Sequence, residues 1–178
     1  MQEMKLTPIT ANDADALEQV KRIYLASFPE CERRPWSGFI DKLKSDPRFA
    51  VNAIFDGKNV AGLITFWDFG DFAYGEHFAI DQSKRNCGIG GKSFSSLIQR
   101  VGKPFIIEVE PSGTTPEADR RIGFYQRLGF TAHPDFAYVQ PAYAPDLQPV
   151  PLMLMTTATI DLAKAADIIK REVYGVYQ

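Results

Sequence analysis

The glycine-rich stretch QSKRNCGIGGKS, residues 82–93, constrains the fold of this chain more than any other feature. It follows a β-rich run that ends at Ile80. After it, apolar residues recur at i, i+3, i+4 and i+7, namely Phe94, Leu97, Ile98 and Val101. This order predicts a strand, a permissive loop and an amphipathic helix. Because glycines lack a Cβ atom and a helix N-terminus is electropositive, such a loop can cradle a phosphate group with its backbone N–H groups.

Spacing separates three kinds of phosphate-binding loop. A Walker loop requires a glycine five positions before Gly91, where this chain has Asn86. A dinucleotide fingerprint that starts at Gly88 would need a third glycine where Ser93 stands. The pattern R-x-x-G-x-G is met by Arg85 to Gly90, directly between the strand and the helix. The last pattern is therefore favoured.

The rest of the chain predicts alternating helices and strands in one domain of residues 1–178. Helices are expected at residues 13–26 with Asn12 as N-cap, at 37–44, from about 91 to the cap at Gly102, from about 119 to Gly129, and at 161–174. Strands are expected at residues 49–55, 60–69, 72–80, 105–110, 130–133 and 152–156, and a proline-rich loop insertion at 134–151. This order predicts an α/β chain, a mixed sheet with helices on both faces.

Composition excludes several classes of function. The net charge of −2 argues against a broad nucleic-acid or anionic-membrane surface. Two cysteines and two histidines match no metal-ligand spacing, so no metal site is expected. No apolar run approaches the ~20 residues that span a bilayer, and the N-terminus lacks signal-peptide features. The sequence predicts a cytoplasmic protein with reduced thiols.

A second motif lies downstream, FYQRLGF at residues 124–130, which contains a Y-x-x-x-G-F pattern starting at Tyr125. Together with the loop that begins at Arg85, this motif resembles the corresponding motifs of the GCN5-related N-acetyltransferases (GNAT), and the two stand at the spacing of that family. The motifs occupy residues 76–130, and the order of elements extends the resemblance over most of the chain. Where the family often has an asparagine, this chain has Ala118. The resemblance implies a largely antiparallel mixed sheet with a splayed parallel strand pair, the acyl-CoA N-acyltransferase fold.

The resemblance also implies that acetyl-CoA is the cosubstrate. Its pyrophosphate would bind the amides of the loop, and Arg85 could add a charge. Its pantetheine arm would contact the main chain at Phe78 and Ile80. The implied cofactor-binding residues are Phe78, Ile80, Arg85, Asn86, Cys87, Gly88, Ile89, Gly90 and Gly91.

Attack on the thioester requires an amine to lose a proton, and an amine has a pKa of about 10. A carboxylate is therefore expected near the acceptor. Glu76 is the first choice, because period-two alternation places it on the same side of its strand as Phe78 and Ile80. Glu108 and Glu110 on the next strand are the alternatives. His77 would point to the opposite face and is expected to be packed or hydrogen-bonded.

The leaving thiolate requires a proton or a hydrogen bond, and the family pattern assigns that role to Tyr125. Cys87 lies at a helix N-terminus, which lowers a thiol pKa, but direct transfer requires no acyl-enzyme, so Cys87 is expected to contribute only its backbone. The expected activity is transfer of an acetyl group to a primary amine of a small molecule or peptide in a ternary complex. The alternative is a non-catalytic acyl-CoA binding or sensing domain.

Two segments are candidates for the acceptor side. The connection after the first helix carries Glu30, Glu32, Arg33, Arg34 and Trp36, whose acids would favour a cationic amine, unless these charges form only a solvated turn. The proline-rich insertion carries Phe136, Tyr138 and Tyr143, and it could wall a pocket or pack in a homodimer.

Overall fold

The structure is a computed structural model that describes residues 4–175, and within them the chain divides into two compact units. The first unit comprises residues 4–30 and 34–103, and the second comprises residues 31–33 and 104–175. None of the helices in this part of the chain combines the length and the apolar character that crossing a membrane requires.

The first unit is built on four antiparallel strands in the order β1-β2-β3-β4. These strands are β1 (Met4–Ile9), β2 (Phe49–Asp56), β3 (Asn59–Asp68) and β4 (Ala73–Ile80), and the helices are α1 (Ala14–Ser27), α2 (Trp36–Ser45) and α3 (Ile89–Val101). Tyr24 of α1 packs on His77 with ring centroids 5.0 Å apart, and Phe94 of α3 packs on Phe78 at 5.1 Å. Because His77 and Phe78 are consecutive in β4 and point to opposite faces, α1 and α3 cover opposite sides of these strands.

Strand β1 was not expected from the sequence. It contains Pro8 and pairs only with β2 within this unit. Proline lacks a backbone donor and is tolerated in strands that have a neighbour on one side only. Its partner strand lies some forty residues away, so no local turn signal announces the pairing.

The second unit contains three antiparallel strands in the order β5-β8-β6, with a short β7 that also pairs with β8. Its elements are β5 (Phe105–Val109), α4 (Pro116–Arg127), β6 (Thr131–Ala132), β7 (Tyr138–Gln140), β8 (Val150–Thr156) and α5 (Leu162–Glu172). The expected proline-rich insertion is therefore not structureless, because β7 lies inside it and β8 begins at its end. Tyr138 and Gln140 of β7 are buried, while Val139 between them is 45% exposed.

Two predicted helix starts are wrong. Helix α1 has Asp13, not Asn12, as its N-cap, and the Asp13 carboxylate accepts hydrogen bonds from the amide and hydroxyl of Thr10 at 2.7 and 2.8 Å. Helix α4 begins at Pro116, three residues before Asp119. The hydroxyl of Thr115 accepts from the Ala118 amide at 3.0 Å, and proline is favoured in the first helical turn.

Most local predictions are confirmed. The hairpin of β2 and β3 forms around the turn at residues 57–58. Helix α3 ends at Gly102, which has a φ of 66° in the left-handed region. Helix α5 follows Asp161, whose carboxylate caps the Lys164 amide at 3.0 Å.

Candidate active site

The loop between β4 and α3 presents backbone amides that nothing in residues 4–175 satisfies. The amides of Asn86 to Gly91 donate no hydrogen bond in this part of the chain, and the first donor of the helix is Lys92, which reaches the Gly88 carbonyl at 3.3 Å. Asn86 and Gly88 both have positive φ, 65° and 72°. Consecutive residues in such conformations point their N–H groups into one concavity, which suits an anion.

Gly90 is required by packing rather than by its backbone angle. A Cβ atom at this position would lie 3.0 Å from Cζ of Phe78 and 3.3 Å from Cγ1 of Ile80. The missing side chain therefore lets the first turn of α3 approach β4 closely. The two apolar side chains of β4 form the surface on which the loop and the helix start rest.

Ion pairs fix the entrance of the loop. Lys84 binds Asp56 at 2.6 Å, and Arg22 binds Asp81 at 3.0 Å. The Asp81 carboxylate also accepts the Ser83 amide at 3.0 Å and closes a short turn before the loop. Arg85 directs its Nε to the Ile80 carbonyl at 3.1 Å, so this predicted phosphate contact also closes the end of β4.

The backbone of β4 has the orientation that the predicted pantetheine contacts require. The Asp81 amide donates to the Ala61 carbonyl of β3 at 2.8 Å. In an antiparallel pair successive residues turn their N–H and C=O groups alternately toward and away from the partner strand. The main-chain groups of Ile80 and Phe78 therefore point away from β3.

The predicted orientation of Glu76 is wrong. Its carboxylate binds Arg34 through Oε1 and accepts from Nε1 of Trp67 through Oε2 at 2.7 Å, and its side chain is completely buried. Phe78, in contrast, packs on α3. A bulge in β4 explains the difference: Thr65 lies opposite His77 and Phe66 lies opposite Gly75, so Glu76 is the extra residue in the register of β4 against β3. The extra residue reverses the alternation.

The electrostatics of Glu76 do not suit a general base. Burial by itself would raise the pKa of this carboxyl, but the charges of Arg34 and of the neighbouring His77 and the hydrogen bonds from Arg34 and Trp67 outweigh burial and hold the pKa below its usual value. The ionised form is thus already stabilised, which reduces its tendency to accept a proton.

His77 is packed, as its sequence position predicts. Its ring lies 4.7 Å from the Phe28 ring and 5.0 Å from the Tyr24 ring, and its amide donates to the Thr65 hydroxyl at 3.1 Å.

The other two predicted carboxylates lie in the second unit and differ from each other. Glu108 of β5 accepts from two hydroxyls, that of Tyr138 through Oε1 and that of Tyr174 through Oε2 at 2.9 Å. Glu110 follows β5, retains 32% side-chain exposure and pairs with Arg121 at 2.9 Å. Both residues are half-buried, but both carboxylate oxygens of Glu108 are engaged by hydroxyls, whereas Glu110 pairs with Arg121 through Oε2.

The charges of Glu110 and Arg121 both affect the pKa of Glu32. Half-burial and then repulsion from Glu110 raise the pKa of Glu32, and Arg121 partly offsets both. The sequence indicates Glu32 as a possible contact of the acceptor, but it does not predict the interaction of Glu32 with Glu110 and Arg121. A carboxyl with a raised pKa beside a second carboxylate is a site where a cation would relieve repulsion.

Tyr125 lies on α4 in the core of the second unit. Its ring packs edge-on to Phe124 at 5.2 Å and Phe130 at 5.5 Å. Burial raises the pKa of Tyr125 well above its usual range, and Arg121 only partly counteracts this. The phenol is therefore neutral at physiological pH and can act as a donor.

Two contacts at the site were not predicted, although the sequence places both residues in the candidate acceptor segments. Arg34 is buried, whereas its charged segment also allowed a solvated turn, and Tyr138 reaches Glu108 from inside the proline-rich insertion. Both depend on long-range contacts.

Cys87 is exposed, and its Sγ lies 3.5 Å from the Arg85 carbonyl. No group of three or more His, Cys, Asp or Glu side chains within residues 4–175 is arranged to hold a metal ion.

Comparison with known proteins finds a family and solved structures that are similar to this chain. The sequence model of the acetyltransferase (GNAT) family matches residues 16–130. A solved structure from Bacteroides thetaiotaomicron, assigned to the GNAT family, is 33% identical and superimposes with a TM-score of 0.90 over 97% of this chain and 99% of that chain. No curated protein matches the chain.

More distant structures share the fold. The ribosomal-protein-S18-alanine N-acetyltransferase of Escherichia coli is 16% identical, with a TM-score of 0.63 over 90% of this chain and 97% of that chain. A Bacillus subtilis acetyltransferase in complex with CoA is 12% identical, with a TM-score of 0.58 over 89% of this chain and 100% of that chain. These similarities confirm the predicted mixed α/β fold class.

Proposed function

The chain belongs to the GNAT family of acetyltransferases, and from this premise we propose that it transfers an acetyl group from acetyl-CoA to a primary amine. The acceptor is an amine of a small molecule or a peptide, and it attacks the thioester directly in a ternary complex. The thioester C–S bond breaks as the new C–N bond forms, and CoA leaves as the free thiol.

The loop amides are the observation that carries the proposal. Six consecutive residues, Asn86 to Gly91, leave their N–H groups without an acceptor within residues 4–175, at the N-terminus of a helix. A pyrophosphate supplies oxygens for such donors and gains from the positive end of the helix dipole. Side chains of Lys84 and Arg22 are already paired with carboxylates, so the backbone, rather than these cations, is the main anion-binding element.

The donor arm would bind β4. The main-chain groups of Phe78 and Ile80 point away from β3, so pantetheine amides can pair with them as an added strand does. This pairing aligns the cosubstrate with the sheet and requires no side chain of particular chemistry.

Glu110 is our candidate for the carboxylate that removes the amine proton. Glu76 is completely buried with both oxygens engaged, and Glu108 is held by two tyrosine hydroxyls. Glu110 keeps the solvent access through which it or a bound water could take a proton. The repulsion between Glu110 and Glu32 would also favour a cationic acceptor before it is deprotonated.

Tyr125 is our candidate for the donor to the leaving thiolate. Its phenol stays protonated because burial raises its pKa. A thiol has a pKa of about 8.5 and is the stronger acid in water, but a thiolate in a dry site is costly and gains from a hydrogen bond.

A non-catalytic acyl-CoA binding or sensing domain is the second candidate, because the loop alone accounts for binding. The two are separated by calorimetry with acetyl-CoA and by free-thiol release during incubation with a panel of primary amines. Binding with amine-dependent thiol release is expected. Binding without release on any amine would favour the sensing domain, and failure to bind acetyl-CoA or CoA would overturn both.

A further inference from the structure

The bulge in β4 turns two consecutive side chains to the same face. Glu76 contacts Trp67 and Arg34, and His77 contacts Phe28 and Tyr24. These partners belong to one cluster, because the Tyr24 hydroxyl is bonded to the backbone of Arg34. A regular strand would have sent Glu76 and His77 to opposite faces.

Glu76 holds the end of the connection between α1 and α2. Arg34 lies two residues before α2, and its guanidinium binds Glu76 and lies 5.7 Å from the ring centroid of Trp67. The backbone of Arg34 is fixed as well: its amide donates to the Tyr24 hydroxyl at 3.1 Å, and its carbonyl accepts from that hydroxyl at 3.2 Å. One buried residue thus anchors the chain through side chain and backbone together.

His77 holds the beginning of the same connection. The Phe28 ring lies edge-on to His77 at 4.7 Å and tilted to Tyr24 at 5.7 Å. The Phe28 amide caps α1 by donating to the Tyr24 carbonyl at 3.2 Å. Between the two anchors only residues 29–33 remain, and they carry Glu30, Glu32 and Arg33.

A charged segment of five residues has little freedom when one end is buried at Arg34 and the other is packed at the half-buried Phe28. Without the anchors it would be a solvated turn, which is one of the two alternatives that its composition allows. With them, the range of positions open to the Glu32 carboxyl is limited by Phe28 on one side and Arg34 on the other. Glu32 is also the residue of this segment whose surroundings include Glu110, the proposed base.

We propose that Glu76 and His77 are positioning residues, which together hold the two ends of the segment at residues 29–33 so that Glu32 meets a cationic amine acceptor in a fixed place. The inference rests on the proposed function for the identity of the acceptor. It assigns to Glu76 a role through Arg34 and not in the chemical step. Both oxygens of its carboxylate are already occupied, and its side chain has no solvent access.

The test compares Glu76→Gln with the double variant Glu76→Gln/Arg34→Met. The single variant leaves the Arg34 charge buried without its anion, whereas the double variant removes both charges and keeps an apolar side chain of similar length. Asp68→Asn is the matched control, because Asp68 pairs with Lys103 at 2.6 Å in the same unit but away from the segment. The stoichiometry of acetyl-CoA binding in calorimetry normalises each preparation for folded protein.

Hydrogen exchange of the amides at residues 30–34 is the first readout, and it is independent of turnover. We expect faster exchange in Glu76→Gln, recovery in the double variant and no change in Asp68→Asn. The second readout is kcat/KM for the most active amine of the panel. Misplacement of the segment should lower it by up to ~100-fold in the single variant, with acetyl-CoA affinity unchanged and recovery in the double variant.

Two results would overturn the inference. Unchanged exchange at residues 30–34 in the single variant would show that Glu76 does not hold the segment. In the second such result, hydrogen exchange recovers in the double variant, but kcat/KM does not and one ionisation is lost from the pH profile. This result would place Glu76 in the chemical step. Because exchange is measured without an acceptor, the first result is informative even if no amine is acetylated.

Discussion

Glu76 and His77 are consecutive in β4, yet their side chains lie on the same face of the strand. The alternation that holds elsewhere in β4 would separate them. The bulge therefore decides which residues of this strand face α3 and which face the connection between α1 and α2. Phe78 and Ile80 support the glycine-rich loop, while Glu76 and His77 belong to the opposite side.

The close approach of α3 to β4 gives a prediction for Gly90→Ala. Its Cβ would lie 3.0 Å from Cζ of Phe78, so either this ring or the helix start must move by a few tenths of an ångström, at a cost of about 1–3 kcal/mol. We expect lower stability in urea and weaker acetyl-CoA binding by calorimetry. Gly38→Ala in α2 is the matched control, because a Cβ there would have no neighbouring atom within 4 Å, and it should be neutral or stabilise by up to ~1 kcal/mol. Equal behaviour of the two variants would contradict the packing argument.

Removing the hydroxyl of Tyr125 gives a second prediction. Tyr125→Phe should lower kcat by roughly 10²–10⁴-fold while acetyl-CoA affinity stays within about twofold, because the ring packing remains and only the donor is lost. Since burial raises the pKa of Tyr125, its ionisation should produce no basic limb below a pH of about 10. Tyr74→Phe, at a buried tyrosine of β4 outside the candidate acceptor segments, is the control. Wild-type turnover by Tyr125→Phe would remove this tyrosine from the mechanism.

The two carboxylates at the end of β5 should respond differently to neutralisation. Glu110→Gln removes the proposed base and should lower kcat by roughly 10²–10⁴-fold, with little change in melting temperature, because its pair with Arg121 is partly exposed. Glu108→Gln weakens two charged hydrogen bonds and should cost about 1.5–3 kcal/mol each in stability, with kcat per folded molecule maintained. The reverse pattern in steady-state kinetics would exchange the two roles.

The depressed pKa of Glu76 predicts an acid-sensitive contribution to stability. Its folded-state pKa lies below the ordinary 4.5, so the ionised carboxylate contributes its full stabilisation above that pH and loses it as the pH falls through the folded value. At neutral pH Glu76→Gln should cost about 3–5 kcal/mol, because Arg34 stays buried without its partner. Urea titrations at pH 7 and in acid should show the gap between wild type and variant shrinking at low pH. A constant gap would contradict the assignment.

Local signals explain what could be predicted. The hairpin of β2 and β3, the glycine that ends α3 and the loop from Arg85 to Gly90 each depend on a few adjacent residues, and each was found where the sequence places it. The starts of α1 and α4 were predicted wrongly, because Asp13 and Thr115 have other polar neighbours that could also occupy the capping position. Strand β1 was missed because its partner in the sheet is remote in sequence.

The candidate site was predicted in part for the same reason. The donor loop is local, and the amides that it leaves unsatisfied within residues 4–175 follow from its glycines and the helix that comes next. The sequence named the carboxylates and put Glu76 first, but it could not show the surroundings of any of them. Their ranking depends on Arg34 and Trp67 around Glu76 and on Tyr138 and Tyr174 around Glu108, contacts that join distant parts of the chain.

The sequence by itself determined the order of most elements, apart from β1 and β7, and the glycine-rich loop and the tyrosine motif that mark the family, because backbone preferences and spacing act over a few residues. Only the tertiary structure decided where each carboxylate points and what it binds. A single extra residue in β4 reverses the direction of a side chain, and burial then sets whether that carboxylate anchors a segment or stays open to react.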